Sequence, residues 1–462
     1  MPESIYISPT SDTIVALATP PGTSAIAVIR ISGKDSYKIV NNVFKGKDLT
    51  KLASHTIHFG TIREENTIID EVLISLFRGP NSFTKEDCIE ISCHGSEFIV
   101  KKIIQQLLKQ GARLARPGEF TKRAFLNGRF DLTQAEAIAD LINSDSEATH
   151  KAAMHQMRGG FSNEIKLLRE KLIYFASMIE LELDFGEEDV EFANRNDLKK
   201  LVTEIQSVLL NLINSFDVGN AIKKGVPTVI AGKPNAGKST LLNVLLNEEK
   251  AIVSEIPGTT RDVIEDEIII EGIRFRIIDT AGLRETTDTI EAIGVSRTRQ
   301  KIKQSSLIIY LFDAVNTLIQ ELENEIDEIK QLNIPFILVA NKSDKLPPYS
   351  DLYKWVHADQ LIFISAVEKQ NIEKLKQKML SIIKADKFIT GNTLITNIRH
   401  YENLRQTFEA LQTVNASIDE GQTGDILSLE IRNALYYLGE ITGEITTDDL
   451  LATIFSKFCI GK

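Results

Sequence analysis

Eight residues, GKPNAGKS at 232–239, carry the spacing Gly-x-x-x-x-Gly-Lys-Ser. A strand-like run, VPTVIAG, leads in and a helix-like run, STLLNVLL, leads out, which is the context a phosphate cradle requires. Gly232 and Gly237 let the backbone pass close to an anion. Successive N–H groups from Asn235, Ala236, Gly237, Lys238, Ser239 and Thr240, at the start of a helix, then point at phosphates. Lys238 would reach the β- and γ-phosphates, and the Ser239 hydroxyl would bind Mg2+. Taken alone, the pattern also fits a chance glycine-rich turn.

Three further elements follow in order. PGTTRD at 257–262 lies in the loop after the first helix, with Thr260 placed to complete the Mg2+ shell. DTAG at 279–282 ends the strand-like RFRIIDT. There Asp279 can hold Mg2+ through water and the Gly282 N–H can sense the γ-phosphate, with Thr280 and Ala281 between them. NKSD at 341–344 follows PFILVAN and supplies Asn341, Lys342 and Asp344. The Asp344 carboxylate can accept from guanine N1–H and the 2-amino group. Adenine offers neither donor, so the pattern predicts selection of GTP. Ser365 and Ala366, closing LIFISA, would turn backbone N–H groups toward guanine O6. Where many such sites carry a water-orienting glutamine after the DTAG glycine, this chain has Leu283. Glu291 is the candidate replacement, an ordinary surface glutamate being the alternative. Asn235 could hold a monovalent cation beside the phosphates in place of an arginine finger.

These groups need elements to position them. The chain has 462 residues, 43% hydrophobic and 25% charged, enough for two or three soluble domains. A net charge of −11 excludes a globally basic nucleic-acid binder, so any RNA contact must be a local patch or a partner's. Three cysteines suit a reducing cytosol, no signal peptide is read at the N-terminus, and no run reaches the roughly 18 apolar residues of a membrane span. A cytoplasmic protein without membrane contact is expected.

Residues 1–125 hold short runs rich in β-branched residues, bounded by Gly, Pro, Asn or Asp, before the helical FIVKKIIQQLLKQG, predicting an α+β domain. Residues 126–220 turn helical, LTQAEAIADLI opening with a capping box formed by Thr133 and Glu136. Residues 221–385 alternate strand and helix as a doubly wound α/β sheet does. Residues 386–462 are helical again and would pack back on 126–220 across the inserted domain.

PNAGKS, GTTRD, DTAGLRE, RPGEFTKRAFLNGRFDLTQAEAIADLI and the terminal FCIGK together resemble the bacterial and organellar tRNA-modification GTPases, over essentially the whole chain. The resemblance implies a multidomain α+β and α/β protein. It has an N-terminal tetrahydrofolate-binding-like domain that dimerises, a discontinuous helical domain, and an inserted Ras-like P-loop GTPase domain. It implies K+-stimulated hydrolysis of GTP to GDP, with K+ held by Asn235 and by Ser254, Ile256 and Thr259, mainly through backbone oxygens. Glu255, Pro257 and Gly258 of the same loop join the nucleotide site. Glu291 matches the family's catalytic glutamate. A homodimer would form a heterotetramer with an FAD-dependent partner. Together they would add an aminomethyl-type group to C5 of the wobble uridine, position 34, of certain tRNAs. The one-carbon donor, 5,10-methylene- or 5-formyl-tetrahydrofolate, is expected near Arg30, Glu90, Arg129 and Lys462. Without the resemblance, a regulatory switch in ribosome assembly and a structural dimer platform remain open; the acidic C-terminal stretches argue against an appended RNA-binding module.

Cys88 and Cys93 flank one strand on opposite faces, which disfavours a shared metal site with His94. The ending FSKFCIGK fits neither prenylation nor a disulfide. A fraying helix end with an incidental Cys459 is the plain alternative. The match to FCIGK instead implies a tail docked beside the one-carbon site, with Cys459 as nucleophile or acid–base group.

Overall fold

The computed structural model describes residues 12–184, 194–249, 266–278, 305–347, 350–355, 361–382 and 393–461. Two compact units are present, one of residues 1–142, 156–198 and 413–462 and the other of 143–155 and 199–412.

The first unit is built on a seven-stranded sheet: β1 (Ile14–Leu17), β2 (Ser24–Ser32), β3 (Phe44–Lys45), β4 (Thr56–Glu64), β5 (Thr67–Phe77), β6 (Cys88–Gly95) and β7 (Arg113–Leu114). Its order is β3-β4-β5-β6-β2-β1-β7, antiparallel except for the β1–β7 pair. Period-two alternation sorts the side chains. Ile89, Ile91 and Cys93 of β6 join Ile29 and Ile31 of β2 in a core covered by helices Ser36–Val43 and Glu97–Lys109. Arg30 and Glu90, directly paired in register, point the other way. Cys88 shares that second face, so the two strand cysteines do lie on opposite sides.

Helices follow the sheet within the same unit. Helix Gly160–Asp184 packs on helix Gly424–Thr442, and Arg432 Nη2 reaches Glu180 at 2.6 Å. The helical layer is thus assembled from both sides of the inserted segment. The expected capping box at Thr133 and Glu136 is displaced by two residues. Helix Leu132–Ile142 is capped by Asp131, whose Oδ1 accepts from the Gln134 N–H at 3.0 Å, while Gln134 Oε1 accepts from the Asp131 N–H at 3.0 Å. Thr133 is fully buried and shares a hydrogen bond with Ser162. The spacing rule had selected a box whose threonine the fold needs inside.

The second unit holds a six-stranded sheet: β8 (Val226–Ala231), β9 (Asp266–Ile270), β10 (Ile273–Ile277), β11 (Leu307–Asp313), β12 (Phe336–Asn341) and β13 (Leu361–Phe363). The order is β13-β12-β11-β8-β10-β9. All pairs are parallel except β9–β10, an edge hairpin that the strand–helix alternation did not predict. β11 shows why a continuous apolar run was needed. Leu307, Ile309 and Leu311 enter one core while Ile308, Tyr310 and Phe312 enter another on the opposite face. Among the described residues no helix is long and apolar enough to cross a membrane.

Candidate functional site

The phosphate cradle sits at the carboxyl end of β8, flanked by β11 and β10. This is the position where open α/β sheets bind ligands. Gly232 leaves the strand at φ +143°, and a Cβ on it would stand 1.9 Å from the Leu311 oxygen. Gly237 opens helix Lys238–Glu249 at φ +97°, with Asn341 Nδ2 2.2 Å from where its Cβ would be. Both glycines are therefore dictated by close approach of other chain segments. Asn235 takes a left-handed backbone, φ +63°, at the exposed crest of the loop. The Lys238 ammonium folds back to the carbonyls of Gly232 at 2.7 Å and Lys233 at 2.9 Å. Burial lowers its pKa. Ser239 stands half-buried and Thr240 exposed on the first turn of that helix. The Ser239 hydroxyl is a hard oxygen donor of the kind Mg2+ takes.

Asn341 ties this loop to the base side. Its Nδ2 donates to the Ala236 oxygen at 2.8 Å and its Oδ1 accepts from the Ala366 N–H at 3.0 Å, all three residues being buried. Lys342 has a left-handed backbone, φ +65°, and its Nζ pairs with Asp313 at 2.7 Å. Burial would raise the Asp313 pKa, but the hydrogen bonds from Lys342 and Asn316 outweigh it and leave a net lowering. Asp344 follows on an exposed 3-10 turn, free to meet a base edge. One expectation changes. The Ser365 N–H donates to the Gln370 oxygen and the Ala366 N–H to Asn341, so in this conformation neither faces guanine O6. These two residues, fully buried, instead shape the floor through Asn341. Asp313 was missed by sequence reasoning; its only signal is an acid ending the strand beside β12.

Ser254, Glu255, Ile256, Pro257, Gly258, Thr259 and Thr260 lie outside the described residues, as do Asp279, Thr280, Ala281, Gly282, Glu291 and Lys462. β10 runs parallel to β8 and ends one residue before Ile278, whose N–H donates to Thr228.

A second constellation lies on the outer face of the first sheet. Glu90 and Arg129, far apart in sequence, line one cavity of about 660 Å3, and Arg30 reaches it through its pairing with Glu90. Glu90 and Arg129 line it with His55, Phe83, Lys85 and Cys88. Arg30 holds Glu90 through Nε at 2.9 Å and Nη2 at 2.8 Å. Arg129 arrives by a helix ending. After helix Glu119–Leu126, the Gly128 N–H bonds the Phe125 oxygen and the Arg129 N–H bonds the Ala124 oxygen, with Gly128 at φ +68°. That is a Schellman closure, and it explains the Asn-Gly-Arg sequence. The Phe83 ring carries Arg30 at 4.9 Å and Arg129 at 5.1 Å. Partial burial, then the nearby Arg30 charge, lower the Arg129 pKa, and among the described residues no carboxylate pairs with it. A cation without a counter-ion beside a carboxylate and a ring suits a flat, amino-bearing ligand with an anionic tail. Burial pushes the Cys88 thiol up to about 12, which disfavours the reactive thiolate. Phe83, His55 and Cys88 were not foreseen as cavity residues; the long GPNSFTKED connection between two antiparallel strands was the signal for Phe83 alone.

The C-terminal tail docks on this same unit. Phe455 and Phe458 enter a cluster with Leu132 and Ala135, and the Cys459 carbonyl accepts from the Gly118 N–H at 3.3 Å. Gly118 has φ +64° and leaves 2.6 Å between a Cβ and the Phe455 oxygen, and Gly461 passes Leu17 as closely. The end of helix Asp448–Phe455 is closed by the Ser456 N–H on the Ala452 oxygen at 3.0 Å. The Cys459 side chain is exposed and is not among the cavity's lining residues.

Two family models match. The "GTP-binding protein TrmE N-terminus" covers residues 13–129 and the "MnmE helical domain" covers residues 132–459. The tRNA modification GTPase MnmE of Cytophaga hutchinsonii is 60% identical over 98% of this chain and 98% of its own length. The MnmE of Flavobacterium psychrophilum is 53% identical over 98% and 99%, and that of Porphyromonas gingivalis 47% over 99% and 100%. With a glycine-rich phosphate loop tied to Asn341 in one unit and a helical layer spanning the insertion in the other, the chain belongs to the MnmE family of tRNA modification GTPases.

Proposed function

We propose that the chain hydrolyses GTP to GDP and thereby takes part in modifying tRNA. The observation that carries this is the Asn341 bridge, one buried amide joining the phosphate loop to the Ser365–Ala366 turn, in a chain 60% identical to a relative of that name. The finer reading is our own. Mg2+ would be held by Ser239, with Thr260 and, through water, Asp279. K+ would be held by Asn235 with Ser254, Ile256 and Thr259. Positive charge there would stabilise the developing phosphate charge, the work of an arginine finger. Lys238 must leave the loop carbonyls to meet an arriving triphosphate.

On this reading a tetrahydrofolate derivative is held by Arg30, Glu90 and Arg129, with Lys462 near its end, and supplies the one-carbon unit for C5 of the wobble uridine. The cavity's volume lies in the usual range for small ligands. The chain's own residues bind and orient: Glu90 accepts from ring amino and N–H groups, and Arg129 holds the anionic tail. We place 1–125, 126–220, 221–385 and 386–462 as dimerising, helical, GTPase and returning helical segments of a cytoplasmic homodimer that works with an FAD-dependent partner.

Two measurements test the GTPase half. Turnover in KCl should exceed turnover in equimolar NaCl by about tenfold or more, because only a correctly sized ion sits beside the phosphates; equal rates remove the cation's role. Glu291→Ala should bind a fluorescent GDP analogue normally and hydrolyse GTP at least about a hundredfold more slowly. Unchanged turnover removes Glu291 from the reaction.

A further inference from the structure

We propose that Asn127 is a positioning residue that holds the cavity loop 79–87 in its ligand-ready shape. The loop joins β5 to β6 and supplies the Pro80, Asn81, Ser82, Phe83 and Lys85 part of the cavity wall. It has no sheet of its own to fix it, so its backbone groups need other partners. Some lie within the loop, such as the Glu86 N–H on Thr84 Oγ1 and the Gly79 N–H on Asp87 Oδ1, and the segment 123–129 ties the middle of the loop to a helix end. Asn127 Nδ2 donates to the Thr84 oxygen at 2.7 Å, Lys85 Nζ returns to the Gly128 oxygen at 2.8 Å, and Arg129 Nη1 donates to the Ser82 oxygen at 2.5 Å. Arg123, 4% exposed, anchors Glu86 at 3.2 Å.

Of these, Asn127 is the one with a single task. Lys85 and Arg129 face the cavity itself, and Arg123 also serves Asp12 and Glu119. Asn127 is the C-cap of helix Glu119–Leu126, its backbone already bound to Arg123, and does not line the cavity. Its side-chain amide lands on Thr84, which is fully buried, and the Thr84 hydroxyl in turn meets Ser32 Oγ of β2 at 2.6 Å. The bond therefore fixes the loop's midpoint against both the helix end and the sheet. Phe83, the ring between two guanidiniums, is the next residue. A shift at Thr84 moves that platform and uncovers Cys88, which is 1% exposed behind the loop.

The consequence for ligand affinity rests on the one-carbon reading above; the consequence for the loop does not. The test uses full-length Asn127→Ala and Asn127→Asp, the latter keeping size while replacing the donor with an acceptor facing a carbonyl. Both are made in a Cys459→Ser background, so that the exposed thiol is silent. Cys88 labelling by a small thiol reagent should accelerate about tenfold or more in both variants, as expected when a burial-protected thiol becomes accessible. The thermal midpoint should hold, which separates local opening from general unfolding. Affinity for 5-formyltetrahydrofolate, by calorimetry, should fall about tenfold or more. Labelling at the parent rate overturns the positioning role. Parent-level folate affinity in both variants overturns it as well. A parent chain that takes no folate, with labelling still accelerated by the substitutions, overturns the one-carbon reading and leaves the role of Asn127 in the loop standing.

Discussion

Gly232→Ala is expected to abolish useful GTP binding while leaving the chain folded. The added Cβ would stand 1.9 Å from the Leu311 oxygen and 2.9 Å from the Leu311 carbon, on a backbone at φ +143°. Those atoms are main chain, so no rotamer change relieves the contact. Leu311 belongs to β11, which is hydrogen-bonded to β8 up to the Tyr310–Ala231 pair immediately before the loop. Relief therefore requires prising apart two central strands or swinging the phosphate loop outward. Overpacking of this kind costs about 1–3 kcal/mol or more, and the loop is the cheaper element to move. A displaced loop carries Ala236 away from Asn341 and turns its N–H groups from the phosphates. A loss of about a hundredfold in affinity, close to 3 kcal/mol, is the expected size. Titration with a fluorescent GDP analogue reads it directly. Gly421→Ala is the matched control: it also has positive φ, +65°, but nothing lies within 4 Å of its Cβ. Binding by Gly232→Ala within twofold of the parent chain would refute the steric argument.

The difference between those two glycines also shows what the sequence could and could not reveal. GKPNAGKS announces a phosphate loop by spacing alone, because backbone N–H geometry leaves few other sequences able to form it. The strands around it were legible for the same reason: a run apolar at every position, such as Leu307–Phe312, has to be covered on both faces. The hairpin partner β9 was not, since DEIII at a sheet edge is buried only at alternate positions and carries acid at its start. Which carbonyl Gly232 must avoid is a matter of tertiary approach and has no local signal. The same limit applied to the capping box, where two overlapping patterns were available and burial of Thr133 decided between them. In the cavity, Arg30, Glu90 and Arg129 were named from likeness to a family. Physical reading of the chain alone could not have joined them, because their meeting depends on strand register and on a helix ending at Gly128. Phe83 escaped because a connection between strands has no period to read.

The tail offers the second large effect. Phe455 is 2% exposed and Phe458 9%, and their rings meet at 5.3 Å within a cluster closed by Leu132, Leu451 and Ile454. Removing the Phe455 ring should cost about 3–5 kcal/mol of local stability, since the surrounding helices cannot collapse into the space without disturbing Gly118. The cost falls on the docking of residues 456–461 rather than on the sheet core, where Phe455 has no part. Phe455→Ala is therefore expected to release the tail, seen as rapid removal of the C-terminus by carboxypeptidase, and to abolish tRNA modification. GTP turnover, housed in the other unit, should stay near the parent value. Cys459→Ser separates docking from chemistry. The tail's bond to Gly118 runs through the Cys459 carbonyl, which serine retains, so the tail should stay protected. Lost modification with a protected tail would assign the reaction to the thiol. Full modification by Cys459→Ser would reduce the tail to a structural strap. Full modification by Phe455→Ala with a released tail would show that docking of the tail is not needed for the reaction.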